Sequence, residues 1–421
     1  MSPTLNRRHR RLAAALAVAA LAVTSLSACG GSSSAGENDP ITLGLLAPLT
    51  GSAAADGKLM EQGAQLAIET LNANGGVNGR QIKLQTSDVR DLKSDAVSAA
   101  VAKLTSDTSV AAVLTGYAST TNFEIDQLAE AGIPYILGGG STQTEEIIRK
   151  APDRYSGIWS IAPSYAGYGT DLPEQLDEWN SDGTFPLRNR KAYIISSDNP
   201  YSNGIAGGLQ KSLTEKGWTV SGPDVVPFGE VNDWTTQLTK IRQVDPSLVI
   251  NLDYLTANAA KFLTQFRQNP SNSLVVSQYA PSVPEFIELT GENANGVLYN
   301  LPFAPLQTLP ETKELEKKFK DKYDTGLSLY NVALYEQVML WAKAAEKVGD
   351  ASKREEVGAA IGTLDEKTVL GRVHFDPDSH LAVAGTDGVP MTYYQIQSGQ
   401  RVTIAPNEYA DTSLQKPSWI R

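Results

Sequence analysis

The 421-residue chain has one cysteine, three histidines and four methionines. A single cysteine excludes an intramolecular disulfide and a zinc site built from paired cysteines. Two of the histidines, His374 and His380, fall in Arg372-Val-His-Phe-Asp-Pro-Asp-Ser-His380, which reads as a turn; the third, His9, stands among N-terminal arginines. Catalysis therefore has little to draw on. No H-E-x-x-H or G-x-S-x-G motif is present, and Gly138-Gly-Gly140 lacks the Gly-Lys-Ser/Thr that completes a phosphate loop. Asp376 opens like a calcium loop but has neither the glycine at its sixth position nor the glutamate at its twelfth. The sequence thus offers no catalytic residue, no metal site and no cofactor. Positive charge is also scarce. The net charge is −11, and the first 28 residues carry four arginines and no acid, so the remaining 32 basic side chains face 47 acidic ones. Phosphate backbones would be repelled, which argues against nucleic acid. Long apolar runs are missing too: Leu12–Leu26 is too short for a comfortable membrane span, and nothing later is longer.

What is present is organised around Val110–Thr142. Val110-Ala-Ala-Val-Leu114 is an apolar run suited to a buried parallel strand. It ends in the small, hydroxylated stretch Thr115-Gly-Tyr-Ala-Ser-Thr-Thr121. Phe123, Ile125, Leu128 and Ala129 then share a helical face, and Gly132-Ile-Pro-Tyr-Ile-Leu137 makes a second strand running into Gly138-Gly-Gly-Ser-Thr142. Two neighbouring strands so end in loops of Gly, Ser and Thr. Ligands of open parallel sheets sit outside the carboxyl ends of the strands, and such loops offer free N–H groups, carbonyls and hydroxyls without bulk.

Strands and helices alternate along the rest of the chain, the signature of an α/β protein. Ile41–Leu46 is read as a strand, Lys58–Asn74 as a helix stopped by Asn74-Gly-Gly-Val-Asn-Gly79, Gln81–Gln85 as a strand and Asp95–Thr105 as a helix. Further strands are expected at Lys191–Ser196, Thr219–Val226, Leu248–Leu252, Leu274–Val276, Gly296–Asn300 and Met391–Ile396. Helices are expected after the turn Asp198–Gly204, at Trp234–Val244, Ala257–Gln268, Pro310–Asp324 and Tyr330–Val348.

Two resemblances add to this. Arg7–Arg11, the apolar run Leu12–Leu26 and Leu26-Ser-Ala-Cys29 resemble a bacterial lipoprotein signal and its lipobox, which implies that Cys29 becomes the lipid-modified first residue of the mature protein. Gly30–Gly36 would then be a flexible tether. Gly44-Leu-Leu-Ala-Pro-Leu-Thr-Gly51, Gly63-Ala-Gln-Leu-Ala-Ile-Glu69 and Asn72–Arg80 resemble the opening of the solute-binding proteins of bacterial ABC importers, of the branched-chain-amino-acid (leucine/isoleucine/valine) class. That resemblance implies a type I periplasmic-binding-protein fold: two Rossmann-like α/β lobes joined by three hinge crossings. The expected division is a signal peptide (1–28), a tether (29–39), a first lobe (40–161 plus 299–387) and a second lobe (162–298 plus 388–421). The first crossing is expected at Trp159–Ser164 and the third near Gly388.

The same resemblance implies that the first lobe grips the solute and the second closes over it. Matched by motif, Ser119 and Thr120 stand at the family's hydroxyl position, and Gly139 and Ser141 in the loop that holds carboxylate and amine. A helix beginning after Ser141 would favour an anion. Tyr201 and Tyr254 are expected to face the cleft from the second lobe, with Tyr117 and Tyr330 as further candidates of the same kind. One position departs. Amino-acid-binding members carry a glutamate that pairs with the solute's ammonium where this chain has Tyr279; Asp253 or Asp56 could substitute. An amide, urea-like compound, carboxylate or aromatic acid is then comparably compatible with the site. The implied activity is that of a lipid-anchored, monomeric, extracytoplasmic solute-binding protein. It would serve an ABC permease and its ATPase, and it would not be an enzyme. A ligand sensor on the same fold and a tethered hydrolase are the alternatives.

Overall fold

The computed structural model describes residues 39–421. Cys29 and the signal-like segment lie outside the described residues. Within them, two sheets are built, the first all parallel and the second parallel except for antiparallel strands at one edge. The first takes β1 (Ile41–Ala47), α1 (Ala54–Ala73), β2 (Ile82–Asp88), α2 (Ser94–Thr105), β3 (Val110–Thr115), α3 (Glu124–Glu130), β4 (Tyr135–Leu137), α4 (Thr142–Arg149) and β5 (Ile158–Ser160). Its strand order is β2-β1-β3-β4-β5, all parallel. The second takes α5 (Ala166–Ser181), β6 (Lys191–Ser197), α6 (Pro200–Glu215), β7 (Thr219–Val226), α7 (Thr235–Val244), β8 (Leu248–Asn251), α8 (Thr256–Gln268), β9 (Leu274–Ser277), α9 (Pro284–Thr290) and β10 (Leu298–Leu301). The chain then forms α10 (Pro310–Tyr323), α11 (Leu329–Val348), α12 (Arg354–Ile361) and a hairpin of β11 (Asp365–Thr368) and β12 (Gly371–His374). It ends with β13 (Thr392–Gln397) and β14 (Gln400–Ala405), which complete the second sheet in the order β14-β13-β10-β9-β8-β6-β7. No described helix is long and apolar enough to cross a membrane.

Both sheets are covered on both faces, and the strands show why. In β6, Ala192 and Ile194 pack into one buried cluster while Tyr193 and Ile195 pack into another. In β8, Leu248 and Ile250 join the first of these and Val249 the second. Alternation along an apolar strand feeds two cores when helices lie on each side. On the first sheet, α1 and α11 lie together over one face. Gly63 permits that approach: a Cβ there would sit 2.0 Å from the Asn331 carbonyl oxygen, so any side chain would push the two helices apart.

Several boundaries differ from the sequence reading. α1 begins at Ala54, four residues before Lys58, and α6 begins at Pro200, inside the segment read as a turn, because Asn199 caps it and proline suits a first helical position. Trp159 lies in β5, so the crossing follows Ser160. β10 belongs to the second sheet, and the chain leaves it after Leu301, where the sequence reading placed the return at 298/299. α5, α9, α12 and β14 were not expected.

Candidate functional site

Loops from six strand ends converge on one cavity: those after β2, β3 and β4 in the first sheet and after β6, β8 and β9 in the second. Residues from the N-terminal turn of α11 and from α5 close it. About 80 Å³ is open inside, several times what one water needs and suited to a small solute. Of the candidates, the structure brings Tyr117, Ser119, Thr120, Gly139, Ser141, Tyr201, Tyr254, Tyr279 and Tyr330 to its wall. Leu92, Asn122, Thr144, Tyr165, Tyr168, Asn199, Pro200 and Leu329 line it too. No Lys, Arg or His is among the described residues that line it.

The two glycine- and hydroxyl-rich loops are locked together by their own hydrogen bonds. Ser119 Oγ donates to Glu124 Oε2 (2.5 Å) and accepts the Asn122 N–H (2.7 Å), so its proton is committed inside the protein. Burial pushes the Glu124 carboxyl up, against the pull of Ser119. Asn122, held at a positive φ of 53°, reaches from the first loop to the second, donating through Nδ2 to Ser141 Oγ (3.0 Å) and Thr144 Oγ1 (3.0 Å). Ser141 is the N-cap of α4, accepting the Thr144 N–H at 3.1 Å. The first N–H groups of a helix have no carbonyl behind them, which makes this end of the cavity receptive to an anion. Ser141→Ala is therefore expected to remove a cap as well as a wall of the cavity. A loss of about 1 kcal/mol in denaturant unfolding is the expected size, and unchanged unfolding would deny Ser141 the capping role.

Much of the remaining wall is aromatic. Seven of the chain's 16 tyrosines line the cavity. Beneath them lies Asp56, in the first turn of α1, buried, with both carboxylate oxygens taken: Oδ2 by the Tyr117 hydroxyl (2.5 Å) and Oδ1 by the Tyr279 hydroxyl (2.5 Å). Burial pushes the Asp56 carboxyl up to about 6 although both hydroxyls favour its ionised form, and Glu285 on α9 adds repulsion. Tyr117, Tyr254, Tyr279 and Tyr330 are all pushed upward by burial, so their phenols stay neutral at any physiological pH. Asp56 does not line the main cavity; it opens onto a smaller hollow shared with Tyr254, Thr256 and Glu285.

Tyr279 holds an unusual backbone. Its φ and ψ are 66° and −56°, and the Ala280 N–H donates to the Gln278 carbonyl at 2.8 Å, so it is the centre of a γ-turn of the rare, strained hand. A bulky side chain at that φ costs on the order of 1–3 kcal/mol. The turn delivers the hydroxyl of a residue following β9 to a carboxylate on α1, linking the two sheets. Asp253, by contrast, is not brought to the cavity. It is fully buried, accepts from Leu255 N–H (3.1 Å) and Asn258 Nδ2 (2.8 Å), and fixes the β8–α8 loop. Asn258 extends this network to the Gly229 carbonyl (2.7 Å).

Eight lining residues escaped the sequence reading: Leu92, Asn122, Thr144 and Leu329 singly, and two adjacent groups. Tyr165 and Tyr168 belong to the start of α5, a helix disguised by an internal Pro173 and three glycine or small residues in its first turn. Asn199-Pro200 carried a recognisable cap signal, read there only as a turn.

Comparison with known proteins follows the same outline. A family model described as periplasmic binding protein matches residues 40–401. The Leu/Ile/Val-binding protein homolog 2 of Brucella abortus is 26% identical over 376 residues, covering 84% of this chain and 89% of its own length. The leucine-, isoleucine-, valine-, threonine- and alanine-binding protein of Pseudomonas aeruginosa is 26% identical over 379 residues, covering 89% of this chain and 94% of its own. A crystal structure from Silicibacter pomeroyi, described as a branched-chain amino acid ABC transporter, superposes with a TM-score of 0.81 at 27% identity, covering 90% of this chain and all of that one.

Proposed function

The chain belongs to the periplasmic binding protein family, and from that premise we propose that it is the extracytoplasmic solute-binding lipoprotein of an ABC importer. Its architecture is the type I periplasmic-binding-protein fold. In this reading Cys29 carries the lipid, and a monomer collects a small polar solute and hands it to a permease driven by a separate ATPase. The lobes are residues 40–161 plus 302–387 and 162–301 plus 388–421. No bond is made or broken: a solute that touches both lobes binds the closed form better than the open one and shifts the population toward it.

One observation carries the proposal. A small cavity lies where the strand ends of two separate sheets face each other, lined by residues of both. A solute held there bridges the lobes. The two loops of the first sheet offer hydroxyls and a helix N-terminus to an anionic or polar group; the rest of the wall offers tyrosine rings and, behind Tyr117 and Tyr279, Asp56. The solutes for which the relatives are named make an amino acid or a related carboxylate or amide the first class to test.

The test is a thermal-shift screen of the purified protein against amino acids, amides, urea and small carboxylates. A solute at 100 times its Kd should stabilise by about 2.7 kcal/mol, a clear rise in melting temperature. Saturable shifts with one chemical class are expected. No shift with any member would count against a solute-binding role.

A further inference from the structure

The rings around the cavity are set at steep angles to one another. Tyr254 meets Tyr117 at 73° with centroids 6.3 Å apart, and Tyr201 at 89° and 5.5 Å. Tyr330 closes on Tyr117 at 59° and 5.2 Å. Rings that meet at such steep angles are adjoining walls of a box. Each aromatic face is the negative side of a quadrupole, so a box of them favours a cation over a neutral or anionic group. Asp56 adds a formal negative charge behind the wall, and no basic side chain among the described residues lines the cavity to offset it.

The hydrogen-bonding groups say which cation. A primary ammonium leaving water needs acceptors for three N–H bonds, and an unmet donor is costly when buried. The natural acceptor here, the Asp56 carboxylate, does not line the cavity but lies behind its wall, where Tyr117 and Tyr279 hydroxyls donate to its two oxygens. A quaternary ammonium has no N–H to satisfy. Its methyl groups pack on ring faces, and its charge is met by the quadrupoles and by the carboxylate beyond them.

Building on the solute-capture reading, we propose that the solute is a small quaternary-ammonium carboxylate of betaine type, its methylated nitrogen inside the tyrosine box and its carboxylate toward Ser141. The open space of about 80 Å³ suits a molecule of that size.

Titration calorimetry on the purified protein decides this with four probes: glycine betaine, glycine, leucine and 3,3-dimethylbutanoate. The last has the shape of glycine betaine with carbon in place of the charged nitrogen. Glycine betaine is expected to bind at least about tenfold more tightly than any of the others. Tyr254→Leu should lower its affinity by about tenfold or more, whereas Tyr254→Phe, which keeps the ring, should stay within about threefold. Equal binding of glycine betaine and its neutral isostere would overturn the cation box and leave solute capture standing. So would tighter binding of leucine. Silence toward all four, with shifts by other members of the wider solute panel, also defeats the betaine assignment alone; silence toward that whole panel removes both readings.

Discussion

Gly140→Ala is expected to abolish solute binding and to lower folding stability by about 2–3 kcal/mol. A Cβ built at Gly140 lies 1.9 Å from the Pro163 carbonyl oxygen and 2.7 Å from its carbon. Both atoms are backbone, so no rotamer change relieves the clash; the β4–α4 loop must move away from the crossing that follows β5. That movement breaks the Tyr165 N–H bond to the Gly140 carbonyl (2.7 Å) and the Tyr165 hydroxyl bond to the Gly138 carbonyl (3.1 Å). It also displaces Ser141, the cap of α4 and the next residue along. The neighbouring substitution is the control. A Cβ at Gly139 meets nothing closer than 3.8 Å, so Gly139→Ala should fold like the parent and change only the cavity wall. Denaturant unfolding and calorimetry on the two variants separate these effects. Parent-like stability and binding in Gly140→Ala would mean that the loop yields freely and does not hold the site.

The three glycines of that loop show where a sequence stops being informative. Periodicity and composition reveal a strand ending in Gly-Gly-Gly-Ser-Thr, and hence a compact loop at a strand's carboxyl end. They do not reveal that one glycine abuts a carbonyl from a different segment while its neighbour has room for an ordinary contact. The architecture was legible because apolar runs and helical spacing are local signals repeated along the chain. α5 was not, since Pro173 and its glycines contradict helix propensity, and packing against α6 overrides them. The site divides in the same way. Tyr201 and Tyr254 were indicated by the resemblance to the family. Ser119 was too, but not that its proton is spent on Glu124, a residue buried only in the folded chain. Nor could Asp56 and Asp253 be told apart. Each is an acid in a loop or first turn; one meets two tyrosine hydroxyls from distant segments, the other an asparagine five residues away.

Asp56→Asn should change how stability and solute affinity depend on pH. The buried carboxyl is raised to about 6, above the ordinary value of about 3.9 that it has when unfolded. The folded state thus holds this proton more tightly, and the stabilisation is fully present below about pH 4 and lost as pH rises through 6. The span corresponds to roughly 3 kcal/mol at most. Asparagine removes the loss but offers an acceptor to only one of the two phenols, and the deserted hydroxyl costs about 1–3 kcal/mol. Net stability at pH 7 can therefore be nearly unchanged, and the slope is the diagnostic quantity. Asp253 and Glu336, raised by burial to about 6 and about 7, titrate in the same window in both proteins and cancel in the difference. The groups facing Asp56 are the phenols of Tyr117, Tyr279, Tyr254, Tyr330 and Tyr201, neutral throughout, and Glu285 from α9, which is common to both proteins. A cationic solute beside this carboxylate favours its ionised form. Affinity in the parent should then rise by up to about tenfold per pH unit below 6 and level off above it, while Asp56→Asn stays flat. A parent whose affinity is the same at pH 5 and pH 7.5 would show that the solute carries no positive charge near Asp56, and the tyrosine box would need a neutral occupant.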